Sequence, residues 1–383
     1  MKMPRTAFAR TLSSGLLGIL SRTCMVAVPV AVAATSVVGC ADENDPKTWV
    51  KRLDDPAQRA PAIKRLDEMF NAAMGTSNNN REEAKVKAVI DDSVEGLAKT
   101  YTAGGLDEKT RKDLMKLIAD MGDQRAAPAF AKAFKDYEPG KNDEDVKFAS
   151  QGTSRISNAG KLSDQQLIDA LWDCFAKFQP SKAKSINLVK DLQGAVKTIK
   201  HPSWGPKAVA LLNAPVTDPK NPEQGMDQLQ FWQLPAVQLI GDTKFTAGVG
   251  PLVKVLMTPT KKDLTFPVRL ALHKMPKEAE PELIKALKGE GDYEKQAEAY
   301  PEKAHLPLIA EPLAYISRPA GLAALQEALV KADNDQNRTI LATYLTYFPT
   351  EPKNVKAFTD AYAKVAPNAA IPLMGGANGH AIL

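Results

Sequence analysis

Residues 114–134 read LMKLIADMGDQRAAPAFAKAF, and this stretch decides the fold. Leu114, Leu117, Ile118 and Met121 recur at the spacing of one helix face. Gly122-Asp123 then ends that helix, because glycine suits the left-handed terminal position and aspartate can cap the next helix or bind its amides. Pro128 opens a second helix where its missing amide costs nothing, and Phe130, Ala133 and Phe134 supply the apolar face. The stretch predicts two helices joined by a Gly-Asp-x-Arg turn.

The same order returns along the chain. Leu234, Val237, Leu239 and Ile240 lead into Gly241-Asp242, followed by Gly250-Pro-Leu252, Val255 and Leu256. Weaker copies run through Val268, Arg269, Leu272 and Met275 to Glu280-Pro-Glu-Leu283, Ile284 and Leu287, and through Leu313, Ile316, Pro319, Leu322, Leu325 and Leu329. Near the start, Leu53-Asp-Asp-Pro56 precedes Arg59, Ala62, Ile63 and Leu66. From Asp45 to about Ala366 no period-two pattern competes with this helical spacing, so the expected fold class is all-α. Asp55-Pro56, His201-Pro202 and Arg318-Pro319 are expected helix starts, Ser163 to Gln166 reads as a capping box, and Met74 to Asn80 reads as an exposed loop.

These units resemble HEAT repeats, most closely the short variety named after phycobilisome-lyase-like repeats. The resemblance covers residues 46–366 and implies an α-solenoid, a superhelix of stacked antiparallel helix pairs, over residues 47–366. A single pair cannot bury its apolar face alone, so neighbours must stack; about 40 residues per unit gives roughly seven to nine units. Residues 74–105, 137–162 and 213–227 depart from the pattern. The other reading of the same helices is an ordinary single α-helical domain.

The N-terminal region carries a separate signal. Residues 24–40, CMVAVPVAVAATSVVGC, follow Lys2, Arg5, Arg10 and Arg22, with no acidic residue before Asp42. The ending Val37-Val38-Gly39-Cys40 resembles the bacterial lipobox, which implies diacylglyceryl attachment at Cys40, removal of residues 1–39 as a signal peptide, and anchorage to a membrane of the cell envelope, facing the periplasm or the exterior. Plain secretion and an uncleaved anchor are the alternatives; spanning needs roughly 20 apolar residues, and Ser21-Arg22-Thr23 interrupts the run. Residues 40–46 read as a polar tether and 367–383, with Gly375, Gly376 and Gly379, as a flexible tail.

Removing residues 1–39 takes away four of the 50 Lys and Arg and none of the 45 Asp and Glu, so the basic character belongs to the signal. A nucleic-acid partner is therefore not expected. No GxSxG, HExxH, Walker loop or CxxC is present. His201, His273, His305 and His380 are widely spaced, and Cys174 lies on the apolar face of Leu167, Ile168, Leu171, Phe175 and Phe178. Asp333, Asp335 and Asn337 begin like a calcium loop, but Arg338 and Tyr344 occupy the positions that need glycine and a bidentate glutamate. No catalytic residue, metal or cofactor is expected. Trp204, Phe231 and Trp232 are candidate recognition aromatics, with core packing as the other reading. The functional expectation is a lipid-anchored, non-catalytic scaffold that binds a protein or peptide on its concave face. The alternatives are an enzyme or enzyme accessory of phycobilisome-lyase-like type and a structural lipoprotein that binds a cell-wall polymer.

Overall fold

A computed structural model describes residues 42–348 apart from 184, 217–224 and 333, together with 355 and 356. Cys40, the rest of the N-terminal signal and the tail at 367–383 lie outside the described residues. Asp42 aside, all of these residues belong to one compact unit, Glu43–Leu383. Every regular element among them is helical, with no strand. None of these helices is long and apolar enough to cross a membrane.

The first nine helices are α1 (Pro46–Arg52), α2 (Arg59–Thr76), α3 (Ala84–Ala103), α4 (Glu108–Met121), α5 (Ala127–Lys135), α6 (Asp143–Asn158), α7 (Gln165–Lys177), α8 (Ile186–Ile199) and α9 (Gly205–Asn213). A π-helical turn, Asp227–Gln233, leads into α10 (Leu234–Asp242), followed by α11 (Val249–Leu256), α12 (Thr265–His273) and α13 (Pro276–Lys288). The short α14 (Glu294–Glu298) lies in the connection to α15 (Leu306–Ile316), and α16 (Pro319–Val330) and α17 (Asp335–Leu345) complete the order.

Through most of the chain, helices pack on the next but one, and many also pack on a chain neighbour. One row of contacts runs α2, α4, α6, α8, α10, α12, α15, α17. In the other, α3 packs on α5 and α5 on α7; farther on, α9 packs on α11, α11 on α13 and α13 on α16. Buried side chains from both rows, among them Leu114, Ile118, Phe130, Phe175, Leu188, Val237, Leu252 and Leu283, form one continuous apolar cluster. Each such side chain contributes about 1.5–3 kcal/mol on leaving water, and neither row could bury its inward face without the other.

The founding stretch folds as its pattern predicts. Asp107 caps α4 by accepting from the Thr110 amide at 3.0 Å. Gly122 ends α4 in the left-handed region, with φ 63°. Asp123 accepts from the Arg125 amide at 2.9 Å, and the Arg125 guanidinium bridges Asp123, at 2.7 Å, to Asp91 of α3, at 2.6 Å. Pro128 lies in the first turn of α5.

Several local expectations need correction. Gly241 is not a left-handed terminus: it lies inside α10 with its Cα against Ala271 of α12, where a Cβ would stand 2.8 Å from the Ala271 Cα. The left-handed position falls instead on Lys244, with φ 50°. The cap of α7 is Asp164 rather than Ser163, since the Asp164 carboxylate accepts from the Leu167 amide at 2.8 Å. Pro56 sits in the turn before α2, because the Asp55 carboxylate takes the Ala57 amide at 2.9 Å and holds that segment out of the helix. His201-Pro202 opens a 3-10 turn, whereas Pro319 does begin α16. The loop expected from Met74 is shorter, because α2 runs on to Thr76; the turn beyond it puts Asn78 and Asn79 in the left-handed region.

Two of the three stretches that break the apolar pattern contain long helices. Residues 84–103 form α3 and 143–158 form α6. Helix α6 packs with Ala149, Ser150, Gly152 and Thr153, small residues that let the Phe130 ring come against the Gly152 backbone. Close approach of backbones replaces side-chain bulk here, which hides the helix from an apolar-periodicity reading.

Candidate functional site

The row that contains α4, α6, α8, α10, α12, α15 and α17 is joined from helix to helix by polar side chains. Arg155 of α6 donates to the Ala119 carbonyl of α4 at 2.7 Å and pairs with Asp120 at 3.2 Å. Gln151 of α6 donates to Asp191 of α8 at 2.8 Å. Lys200, at the end of α8, pairs with Asp242 of α10 at 2.6 Å, and Lys274, at the end of α12, pairs with the same carboxylate. Arg269 of α12 reaches Glu311 of α15 at 2.5 Å, and the Tyr344 hydroxyl of α17 donates to Glu311 at 3.0 Å.

Over α8, α10 and α12 this row opens into a cleft of about 560 Å³, within the roughly 300–1,000 Å³ of ligand pockets. Its apolar lining includes Leu234, Pro235, Phe266, Pro267 and Leu270. Helix α12 turns Val268, Ala271 and Leu272 into the core, yet Phe266 is 67% exposed and Leu270 50% exposed. Phe266 and Leu270 are four residues apart, so they share one side of the helix, and that side faces the cleft.

The charged lining is Lys197, Lys200, Lys274 and Asp242. Burial opposes ionisation of Asp242, but the two lysine ammonium groups outweigh it and hold the carboxyl below the ordinary range. Lys197 differs from its neighbours. Its ammonium donates to the neutral Gln193 amide oxygen at 3.1 Å, and burial lowers its pKa with no carboxylate to offset the effect.

A second polar centre lies between α3, α4 and α6. Asp145 is almost wholly buried, accepts from the Tyr101 hydroxyl at 2.8 Å and pairs with Arg111 at 2.7 Å. Burial raises its pKa despite both partners.

The aromatic candidates are all inside. Trp204 is fully buried, with its ring 5.2 Å from that of Trp172. The Phe231 ring lies 5.0 Å from that of Phe175, tilted, and 5.2 Å from that of Phe178, stacked. The Trp232 indole donates to the Phe175 carbonyl at 2.8 Å. Trp204, Phe231 and Trp232 thus offer no ring face to a partner, and the core placement replaces the surface one. The π-helical turn that carries Phe231 and Trp232 also buries Gln233, whose amide donates to the Ala214 carbonyl at 2.8 Å, just beyond the end of α9.

The sequence-predicted polar residues remain scattered. Cys174 is buried, and its thiol is pushed up to about 12 by that burial, which leaves it unreactive at neutral pH. His305 is buried at the head of α15, with burial lowering its pKa. His273 is exposed at the end of α12 and His201 caps the 3-10 turn before α9. Asn334 caps α17 by accepting from the Asn337 amide at 2.7 Å, and Asp335 pairs with Arg338 at 2.7 Å; Asp333 is outside the described residues. Among the described residues no three His, Cys, Asp or Glu side chains are grouped to hold a metal ion.

Sequence reasoning missed Phe266, Leu270 and Lys197. A signal existed in TFPVRLALH, residues 265–273, where apolar residues occupy both sides of a short helix that cannot be buried on both.

No protein-family model matches the chain, and no curated protein sequence matches it either.

Proposed function

We propose that the chain is a lipid-anchored scaffold of the bacterial envelope, without catalytic activity, whose helices stack as a HEAT-like α-solenoid and bind a protein or peptide across α8, α10 and α12. The observation that carries the reading is the next-but-one packing along two helix rows, with the exposed apolar side chains of Phe266 and Leu270 over a cleft on one of them. Such stacking leaves a long surface on which residues from successive units line up, suited to an extended partner. Anchorage at Cys40 follows from the lipobox resemblance and would hold this surface near a membrane.

Two experiments test this. Mass spectrometry of the protein from bacterial membranes should find acylated Cys40 as the first residue, and Cys40→Ser should release the protein or leave it unprocessed; a chain that retains Met1 contradicts the anchor. Single Ala substitutions at His201, His273, His305 and Cys174 should each leave the cellular phenotype near wild type once folding is verified. Loss of a catalytic acid, base or nucleophile costs at least about 100-fold in rate. One folded variant that matches the complete deletion would replace the scaffold with an enzyme.

A further inference from the structure

We propose that the occupant of the α8–α10–α12 cleft is an acidic peptide segment with an apolar anchor residue, bound by Lys197 together with the apolar side chains of Phe266 and Leu270. The inference rests on the docking reading above and specifies its chemistry. Three ammonium groups line the cleft against one carboxylate. Lys200 and Lys274 share that carboxylate, Asp242, which leaves the cleft with an excess of positive charge. Lys197 supplies the second observation. It is half-buried in the cleft wall and its partner there is a neutral glutamine, so it holds a desolvated charge that a ligand carboxylate would satisfy.

The apolar part is equally specific. Phe266 and Leu270 stand in water beside Leu234 and Pro235, and an apolar side chain laid between them would remove that surface from solvent. A purely apolar ligand would leave the lysines unanswered, and a purely anionic one would leave the phenylalanine and leucine exposed. An acidic segment with one large apolar residue answers both, with the anchor supplying most of the affinity and the carboxylates supplying selectivity and salt dependence.

The test is selection of a random 12-residue peptide library on the full chain, followed by measurement of the enriched peptides on variants. The expected pool carries net negative charge and one or more large apolar residues. Lys197→Glu should weaken its binding at least tenfold, as should the double variant Phe266→Ala/Leu270→Ala, and raising salt from 50 to 500 mM should weaken it further on the wild type. Circular dichroism verifies that both variants fold, and Lys197→Arg should retain binding. Enrichment of neutral or basic peptides that still require Phe266 and Leu270 would overturn the acidic partner and leave the docking cleft standing. Peptides indifferent to all of these variants would overturn the cleft, and an empty selection would overturn both.

Discussion

Two of the chain's three Gly-Asp pairs, Gly122-Asp123 and Gly241-Asp242, follow an apolar helix face in the same way and do different things. In the first, glycine takes the left-handed conformation, aspartate caps the next turn, and Arg125 ties that aspartate to Asp91 of α3. The aspartate and arginine of that turn satisfy one another. In the second, α10 continues through both residues, glycine serves close contact with Ala271, and aspartate turns outward to Lys200 and Lys274. A sequence motif that closes a joint at one place opens a charged cleft at another. The divergence follows from the residue two places on: Arg125 reaches back to its aspartate in bidentate fashion, whereas Lys244 occupies the left-handed position and leaves Asp242 to other partners.

Breaking the glycines should give the largest contrast. Gly241→Val places a branched side chain against the Ala271 backbone and should destabilise the protein by about 3 kcal/mol. Gly122→Ala meets chiefly the left-handed penalty and should cost about 1–2 kcal/mol. Denaturant midpoints of the two variants measure the difference, and equal losses would show that the two turns are alike after all.

The aspartates should separate less widely. Asp123→Ala removes a cap and a bidentate arginine partner and should cost about 1–2 kcal/mol. Asp242→Ala breaks two pairs with half-exposed lysines and should cost less than about 1 kcal/mol. Thermal melts of the two variants at low ionic strength check the order, and a larger loss at Asp242 would reverse the reading.

The pH dependence is smaller still and common to both. Burial opposes ionisation of Asp123 and Asp242, but Arg125 in one case and Lys200 with Lys274 in the other hold the carboxyls below the unfolded value. A depressed carboxyl contributes stability in full above the unfolded pKa of about 3.9 and loses it as pH falls through the folded value. Asp123→Asn should therefore flatten the acid limb of a stability-against-pH curve below about pH 4. An unchanged limb would mean that the arginine does not favour the ionised form.

The helices were legible in sequence wherever large apolar residues repeat, as in α4, α5 and α7, because burial of those side chains is what fixes the helix faces. Helix α6 was legible only as an interruption, since it packs through Gly152 and other small residues that carry no apolar signal. The cleft was less accessible. Phe231 and Trp232, readable as anchors or as core, fill the space between α7 and the π-helical turn, while Phe266, one of several apolar residues in a short helix, stands in water. Which side of α12 is covered depends on how α10 and α15 sit against it, and Lys200 and Lys274 meet at Asp242 only through packing between helices distant in sequence.

The most direct test of the docking face is site-specific photo-cross-linking of the full-length protein in intact cells. A photoreactive residue at Leu270, on the cleft, is compared with one at Lys285, exposed on α13 in the other row. The expected result is a discrete protein adduct at position 270 that Lys197→Glu diminishes, with little adduct at position 285. Equal adducts at both positions, or an adduct at 285 alone, would contradict the assignment of the α8–α10–α12 cleft as the working surface.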